Sequence, residues 1–423
     1  MLALQSLAGV VALPLIAWLI SEDRRAATPG VMLRRVAFAI AAQFLIAAVL
    51  LRIPAAALLF EALGSAVRAL QAATLAGMSF VFGYLGGGPA PFAETAPANS
   101  FTLAFRALPL ILVMSVLSRV LYHWRVLPAI VRAIAGVLSR GFGISAPLGI
   151  AAGAKVFLGM VEAPLLIRPY LKALGRGELF ALMTVGMATV AGTVFALYAA
   201  ILEPVVPGAA GHVLAASLMN VPAALTIARL MVPEGFAEDH GRGAAVALEL
   251  DTGHSTMEAI ARGTSDGLKL LAHVVAMLVV MVALVALANM ALGAALKPFA
   301  LEMTFQKALG LLASPFAVLI GIPVSEAATA GALIGEKIVL NELLAYLDLA
   351  RLPADALSPR SRTIMTYALC GFANLGSIGI MVGGLSAMVP ERRAEIAGLA
   401  MRSLLSGVMA TLLTAAVVGV ITP

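Results

Sequence analysis

Runs of about twenty apolar residues recur along this chain, and a run of that length crosses the hydrocarbon of a bilayer as a helix. Residues 2–21, 36–53, 101–121, 179–202, 211–232, 270–293, 363–386 and 398–420 are the candidates. Only 12% of residues are charged and 61% are hydrophobic, with a mean hydropathy of +1.02. A soluble domain carries about 25% charged residues. Too little polar surface remains to cover a water-soluble core of 423 residues, so the solvent is largely lipid. The fold class is then an all-α, multi-pass membrane protein, because a helix satisfies its own backbone in lipid.

Charge gives the orientation. The loop between the first two runs holds Arg24, Arg25, Arg34 and Arg35, and lysine and arginine collect on the cytoplasmic side. Glu203 to His212 lacks both residue types and is placed outside. Pro233 to Lys269 and the turn Val389–Arg393 are placed inside, which puts both termini in the periplasm. Met1 to Ile20 has no charged leader and is followed by Arg24, the wrong polarity for a cleaved signal, so it reads as a retained span. The net charge of +6 is therefore topology; no basic helix or aromatic-plus-arginine module points to a nucleic-acid partner. The lone Cys370 excludes an internal disulfide.

Three stretches fit no simple span. Ile53 to Gly88 carries Glu61 and Arg68 in an apolar helical pattern and suits the membrane interface. Ile144 to Leu174 is broken at Gly159-Met160-Val161-Glu162-Ala163-Pro164, and Leu311 to Leu349 holds Pro323, Glu326, Glu336, Lys337, Asn341 and Glu342. Both read as re-entrant hairpins with polar tips, tolerable at membrane depth only when shielded by protein or cavity water. After each comes a span with a similar interruption: Gly186-Met187-Ala188-Thr189-Val190-Ala191-Gly192, then Gly371-Phe372-Ala373-Asn374-Leu375-Gly376-Ser377. Hairpin plus interrupted span thus occurs twice, the pattern that marks a midplane binding site in secondary transporters.

An ionisable residue inside a membrane costs roughly 2.5–3.5 kcal/mol on insertion scales, so it needs a purpose or a partner. Glu162 and Glu342, at the two hairpin tips, are candidates for binding a polar substrate or carrying a proton; the plainer alternative is capping by nearby backbone N–H groups. Glu336 and Lys337 pair with other groups or sit at the outer rim. Asn374 and Ser377, three apart, share a helix face; they bind a ligand or hydrogen-bond between helices. Thr189 and the carbonyl of Val190 carry the same two readings, and Phe372 stacks on a ring or simply packs. His123, His212, His240, His254 and His273 have no metal spacing, and no nucleotide-phosphate loop is present. The chain is expected to be neither an enzyme nor ATP-driven, and to need no cofactor.

Several of these motifs resemble those of the concentrative nucleoside transporters. Glu162-Ala163-Pro164-Leu165-Leu166-Ile167-Arg168-Pro169-Tyr170-Leu171 is similar to that family's first hairpin, and Gly186 to Gly192 to the span after it. Asn341-Glu342-Leu343-Leu344-Ala345-Tyr346 and Tyr367 to Ile380 are similar to the second half. The resemblance implies eight spans, two re-entrant hairpins and an interfacial helix in an inverted repeat, assembled as a homotrimer in the inner membrane and working as an elevator. It implies a division into 1–122 (scaffold spans and interfacial helix), 123–232 (first hairpin and interrupted span), 233–300 (cytoplasmic loop and scaffold span) and 301–423 (second hairpin and interrupted span). It implies a nucleoside whose ribose meets Glu342, Asn374 and Ser377, with Phe372 and Val194 nearby.

Two departures matter. Where the family usually has Gly-Gln-Thr/Ser-Glu, this chain has Gly159-Met160-Val161-Glu162, so the amide and hydroxyl that contact the base are missing. Either apolar contact and water hold the base, or the substrate is another ribosylated or polyol compound. Second, Lys155 stands where sodium-using members have an asparagine ligand to the ion, while Thr189 and Val190 are retained. An ammonium there fills the cation position, so the expectation is sodium-independent, proton-coupled transport, with Lys155, Glu162 and Glu342 as rival proton carriers. The alternative has Lys155 snorkelling to the cytoplasmic surface while transport is uncoupled or uses another ion site, including sodium.

Overall fold

The computed structural model describes residues 2–24, 29–93, 102–234, 236, 255–299 and 303–422, and every regular element among them is helical. Helices α1 (Leu2–Leu19) and α2 (Pro29–Arg52) lead into the 29-residue α3 (Pro54–Phe82). The short α4 (Leu103–Arg106) and α5 (Leu110–His123) make the next crossing, and α6 (Val126–Phe142) follows. The first hairpin is α7 (Ala146–Ala154), a seven-residue turn, and α8 (Glu162–Leu165). Its return arm never becomes a long helix, because Pro164 and Pro169 interrupt the backbone ladder and only a single 3₁₀ turn forms at Arg168–Tyr170. The interrupted span is α9 (Arg176–Ala188) and α10 (Gly192–Leu202), and α11 (Ala209–Met231) closes the half.

The 41-residue α12 (Thr256–Leu296) connects to α13 (Phe305–Leu319). The second half repeats the plan: hairpin α14 (Ala327–Val339) and α15 (Glu342–Arg351), interrupted span α16 (Pro359–Leu369) and α17 (Leu375–Met388), closing helix α18 (Arg393–Ile421). The buried centre is α11 against α18, with α9 across both. These helices are apolar on all faces, which suits a position with protein on every side. Small residues set the spacing elsewhere: a Cβ on Gly331 would lie 2.5 Å from the Gly310 carbonyl oxygen, so α13 and α14 touch backbone to backbone.

Among the described residues, eight helical segments are long and apolar enough to cross a membrane, the number expected, although the set differs. The eight include Leu58–Gly86 but not 363–386, because the break at Cys370–Asn374 leaves two helices too short to span singly. The polar stretch 233–269 is also not simply a loop: from Thr256 it is the start of α12, which at about 1.5 Å per residue is roughly twice as long as a bilayer core is thick. Arg25 and the rest of that stretch, residues 235 and 237–254 with His240 and His254, lie outside the described residues.

At the end of α1 the Glu22 carboxylate accepts from Arg176 Nε (3.1 Å) and Nη2 (2.9 Å), with Arg402 Nη1 at 3.1 Å. It joins the start of α9 and the third turn of α18 to the first span. The Arg176 hydrogen bond, followed by the charges of Arg176 and Arg402, holds this carboxyl below its ordinary 4.5. A carboxyl depressed on folding stabilises above its unfolded pKa and loses that contribution as pH falls through the folded value. With about a quarter of the Glu22 side chain exposed, the network is worth less than about 1 kcal/mol. The thermal midpoint of the native chain is therefore expected to fall slightly more than that of Glu22→Gln between pH 6 and pH 4. Parallel curves would mean the network adds nothing.

Candidate functional site

Two asparagines build the polar centre. Asn341 is extended, and its side-chain oxygen accepts from Leu344 N at 2.9 Å, so α15 begins there with Glu342 in its first turn. Asn374 is also extended and accepts from Ser377 N at 2.8 Å, starting α17. Each is an N-cap, which satisfies a donor the helix cannot. A carboxylate in a first helical turn is also favoured by the helix dipole. The shared face of Asn374 and Ser377 thus has a local cause, the cap-to-third-residue hydrogen bond.

The caps point the remaining groups at one another. Asn374 Nδ2 donates to Glu342 Oε2 at 3.1 Å, and the Tyr198 hydroxyl of α10 donates to Oε1 at 2.6 Å. Glu342 is 4% exposed, so two donors hold a carboxylate away from water. A cavity of about 210 Å³ opens beside it. All eight residues singled out for substrate line that cavity: Glu342, Phe372, Asn374 and Ser377 from the second half, Val194 from α10, and Met160, Val161 and Glu162 from the first hairpin. The carboxylate of Glu162 folds back over Gly159, where a Cβ would lie 2.0 Å from its oxygen, so any side chain at 159 would displace that carboxylate. The Glu342–Asn374–Ser377 end of the cavity is therefore polar, and Met160 and Val161 add an apolar patch beside Glu162.

Lys155, Thr189 and Val190 do not line it; they sit behind it. Lys155 caps α7, is 2% exposed, and donates from Nζ to the Thr189 carbonyl at 3.3 Å. The ammonium also lies 4.8 Å from the centroid of the Phe372 ring, whose edge belongs to the cavity. Burial at that depth excludes snorkelling. The Thr189 hydroxyl turns into its own helix, donating to Val185 O at 2.8 Å, so the backbone carbonyl is what Thr189 offers the cation.

The second half mirrors this arrangement. Lys337 is 1% exposed, far from any rim, and its Nζ donates to the Ala368 carbonyl and the Thr411 hydroxyl, each at 2.8 Å. In both halves a lysine from the first arm of the hairpin thus satisfies a carbonyl at the end of the first half of the interrupted span. Asn220 of α11 joins the two: its Nδ2 donates to Ala188 O (2.8 Å) and to Cys370 O (2.6 Å), one carbonyl from each break. Unwinding a helix leaves carbonyls without partners, and these three side chains supply them. Asn220→Ala is expected to destabilise by about 1–3 kcal/mol, read as a lower thermal midpoint in detergent, since buried carbonyls are left unpaired. An unchanged midpoint would mean that the breaks are held by other groups.

Sequence reading missed Asn220, Tyr198 and the cavity contacts of His273 and Met277 from α12. Tyr198 had a signal, lying one helical turn beyond Val194. Asn220 had only its polarity within an apolar run, and His273 had none beyond being a histidine in a span.

Three family models match the chain. Residues 8–85 match one described as Na+ dependent nucleoside transporter N-terminus, 104–205 one described as Nucleoside recognition, and 212–419 one described as Na+ dependent nucleoside transporter C-terminus. The nucleoside permease NupC of Helicobacter pylori is 35% identical over 423 residues, covering 99% of this chain and 97% of that protein. The putative nucleoside permease NupX of Escherichia coli is 34% identical, with 98% of each covered. Among solved structures, CNTnw in an inward-facing substrate-bound state superposes with a TM-score of 0.89 at 36% identity, covering 100% of this chain and 98% of that one. A doubly substituted CNTnw in an outward-facing state gives 0.90 at 35% identity, with the same coverage.

Proposed function

Because the chain belongs to the concentrative nucleoside transporter family, with its all-α, inverted-repeat, elevator-type architecture, we propose that its secondary transport of nucleosides is proton-coupled and independent of sodium. The observation that carries this reading is the Lys155 ammonium, buried and 3.3 Å from the Thr189 carbonyl. That carbonyl lies in the break where the family resemblance puts the sodium ligands. A resident cation takes the place of the absorbed one. At about 4 Å and an effective dielectric of about 20, two like charges repel by roughly 4 kcal/mol. The family's descriptions speak of sodium dependence; this chain departs from them at the residue that matters.

Substrate is held, on this reading, with its ribose at the polar end of the cavity and its base at the apolar patch. Glu342 accepts from ribose hydroxyls, Asn374 keeps a donor for the sugar, and Ser377 completes the face. A buried carboxylate made to receive hydroxyls rejects a compound lacking them, since its acceptors would stay unpaired. Met160 and Val161 offer the base contact area without hydrogen bonds, and Phe372 offers a ring. That same apolar patch supports a second reading, another ribosylated compound. The two hairpins and interrupted spans move as one unit against α1–α5 and α12, in a homotrimer of the multi-pass inner-membrane protein, with both termini periplasmic and α3 along the interface.

The test is uptake of labelled uridine and adenosine into proteoliposomes under imposed gradients. Accumulation is expected with an inward proton gradient in sodium-free buffer. Accumulation that follows a sodium gradient at fixed pH would overturn the coupling assignment. Uptake of neither nucleoside, with binding of another ribosylated compound in a thermal-shift panel, would favour the second reading.

A further inference from the structure

A second and larger cavity, about 490 Å³, lies away from the substrate site between α2, α6 and α11. It opens at the end where α2 begins and where α6 and α11 stop. Arg34, Arg35, Arg140 and Arg229 line it, and no aspartate or glutamate does among the described residues. Arg140 and Arg229 lie in the last turns of their helices, where the dipole favours a cation. Arg34 and Arg35 lie in the second turn of α2, near the end that favours an anion. The cluster is held in place: Arg229 Nη1 donates to the Phe142 carbonyl at 2.7 Å, and its guanidinium stacks 4.4 Å from the Phe236 ring.

Apart from Thr226, the other side chains of the wall are apolar. Phe38 and Phe142 meet edge to face at 5.5 Å, beside Leu225 and Leu230. A free anion would satisfy only the arginines; an anion carrying hydrocarbon satisfies both walls. Guanidinium groups match phosphate oxygens in pairs. The arginines also stand on the side that the positive-inside rule assigns to the cytoplasm, whose leaflet carries anionic lipid. From this we infer that the cavity binds the phosphate headgroup of an anionic phospholipid, with its acyl chains along the Phe38–Phe142 wall. The lipid would join α2 to α6 and α11, elements placed on opposite sides of the proposed moving boundary. The inference stands on membrane embedding and does not depend on what the protein carries.

The experiment uses the purified full chain, delipidated in detergent. Its thermal midpoint and retained lipid by native mass spectrometry are followed with dioleoylphosphatidylglycerol, dioleoylphosphatidylcholine or inorganic phosphate. Phosphatidylglycerol is expected to raise the midpoint by several degrees and to stay bound, and phosphatidylcholine to do neither. R34Q/R140Q alters two exposed side chains, so its lipid-free midpoint should match the native one. It should need about tenfold more phosphatidylglycerol for the same shift, and R34K/R140K should recover part of it. A native-only shift produced equally by inorganic phosphate would keep the anion site but overturn the lipid as its occupant. Equal response to both lipids, or an undiminished response in R34Q/R140Q, would overturn the inference altogether.

Discussion

Glu342→Gln is expected to lower nucleoside uptake by about a hundredfold while leaving the fold intact. The substitution keeps the shape of the side chain. It removes the negative charge and replaces one acceptor with a donor. Two donors converge on this carboxylate, the Tyr198 hydroxyl at 2.6 Å and Asn374 Nδ2 at 3.1 Å. A glutamine amide faces one of them with its own N–H, leaving a buried donor unpaired at about 1–3 kcal/mol. Any ribose hydroxyl bound there also exchanges a charge-assisted hydrogen bond, worth about 1.5–3 kcal/mol, for a neutral one. With about 1 kcal/mol retained by the neutral bond, the two losses span about 1.5–5 kcal/mol, a range that brackets the roughly 2.8 kcal/mol that corresponds to a hundredfold. The measurement is initial uptake in proteoliposomes beside the nucleoside-induced thermal shift. Tyr198→Phe, which removes a single donor, should cost only about tenfold. Uptake by Glu342→Gln within threefold of the native rate would show that the sugar is held elsewhere.

On the proposed coupling, Lys155→Asn should make transport depend on sodium. The native ammonium lies 3.3 Å from the Thr189 carbonyl and 4.8 Å from the Phe372 ring, so it is tied both to the broken span and to a wall of the substrate cavity. Removing it relieves about 4 kcal/mol of repulsion against an entering cation, close to a thousandfold in affinity. An asparagine oxygen then joins the Thr189 carbonyl as a ligand, with Val190 next to it. Lys155→Met is the matched control, since it removes the charge and supplies no oxygen. Thermal midpoints in sodium chloride and in choline chloride, with and without nucleoside, separate the cases. A sodium-specific rise is expected for Lys155→Asn alone. If neither variant responds to sodium and both still follow the proton gradient, Lys155 is not the coupling residue.

The fold was legible where its cause is local. Apolar runs must be helical in lipid, and glycine and proline mark where the helices stop, so the spans, the hairpins and the two interruptions could be read along the chain. Length and composition do not separate α3, apolar enough to cross, from 363–386, a crossing made of two short helices. The candidate residues of the site were legible from motif resemblance. The eight substrate candidates do line one cavity, with Lys155, Thr189 and Val190 behind it, but the resemblance said nothing of their supports.

What the sequence by itself determined is the solvent and the punctuation: a membrane protein with two interrupted units, each carrying a glutamate at its tip. Only the tertiary structure decided what stabilises the interruptions. Asn220 reaches carbonyls 32 and 150 residues away, Lys337 one 31 residues away, and Tyr198 a carboxylate 144 residues away. Hydropathy and helix-breaking act between neighbours in the chain and so leave a local trace. A carbonyl freed deep in a membrane must find a donor wherever packing brings one, and no local pattern records which residue that will be.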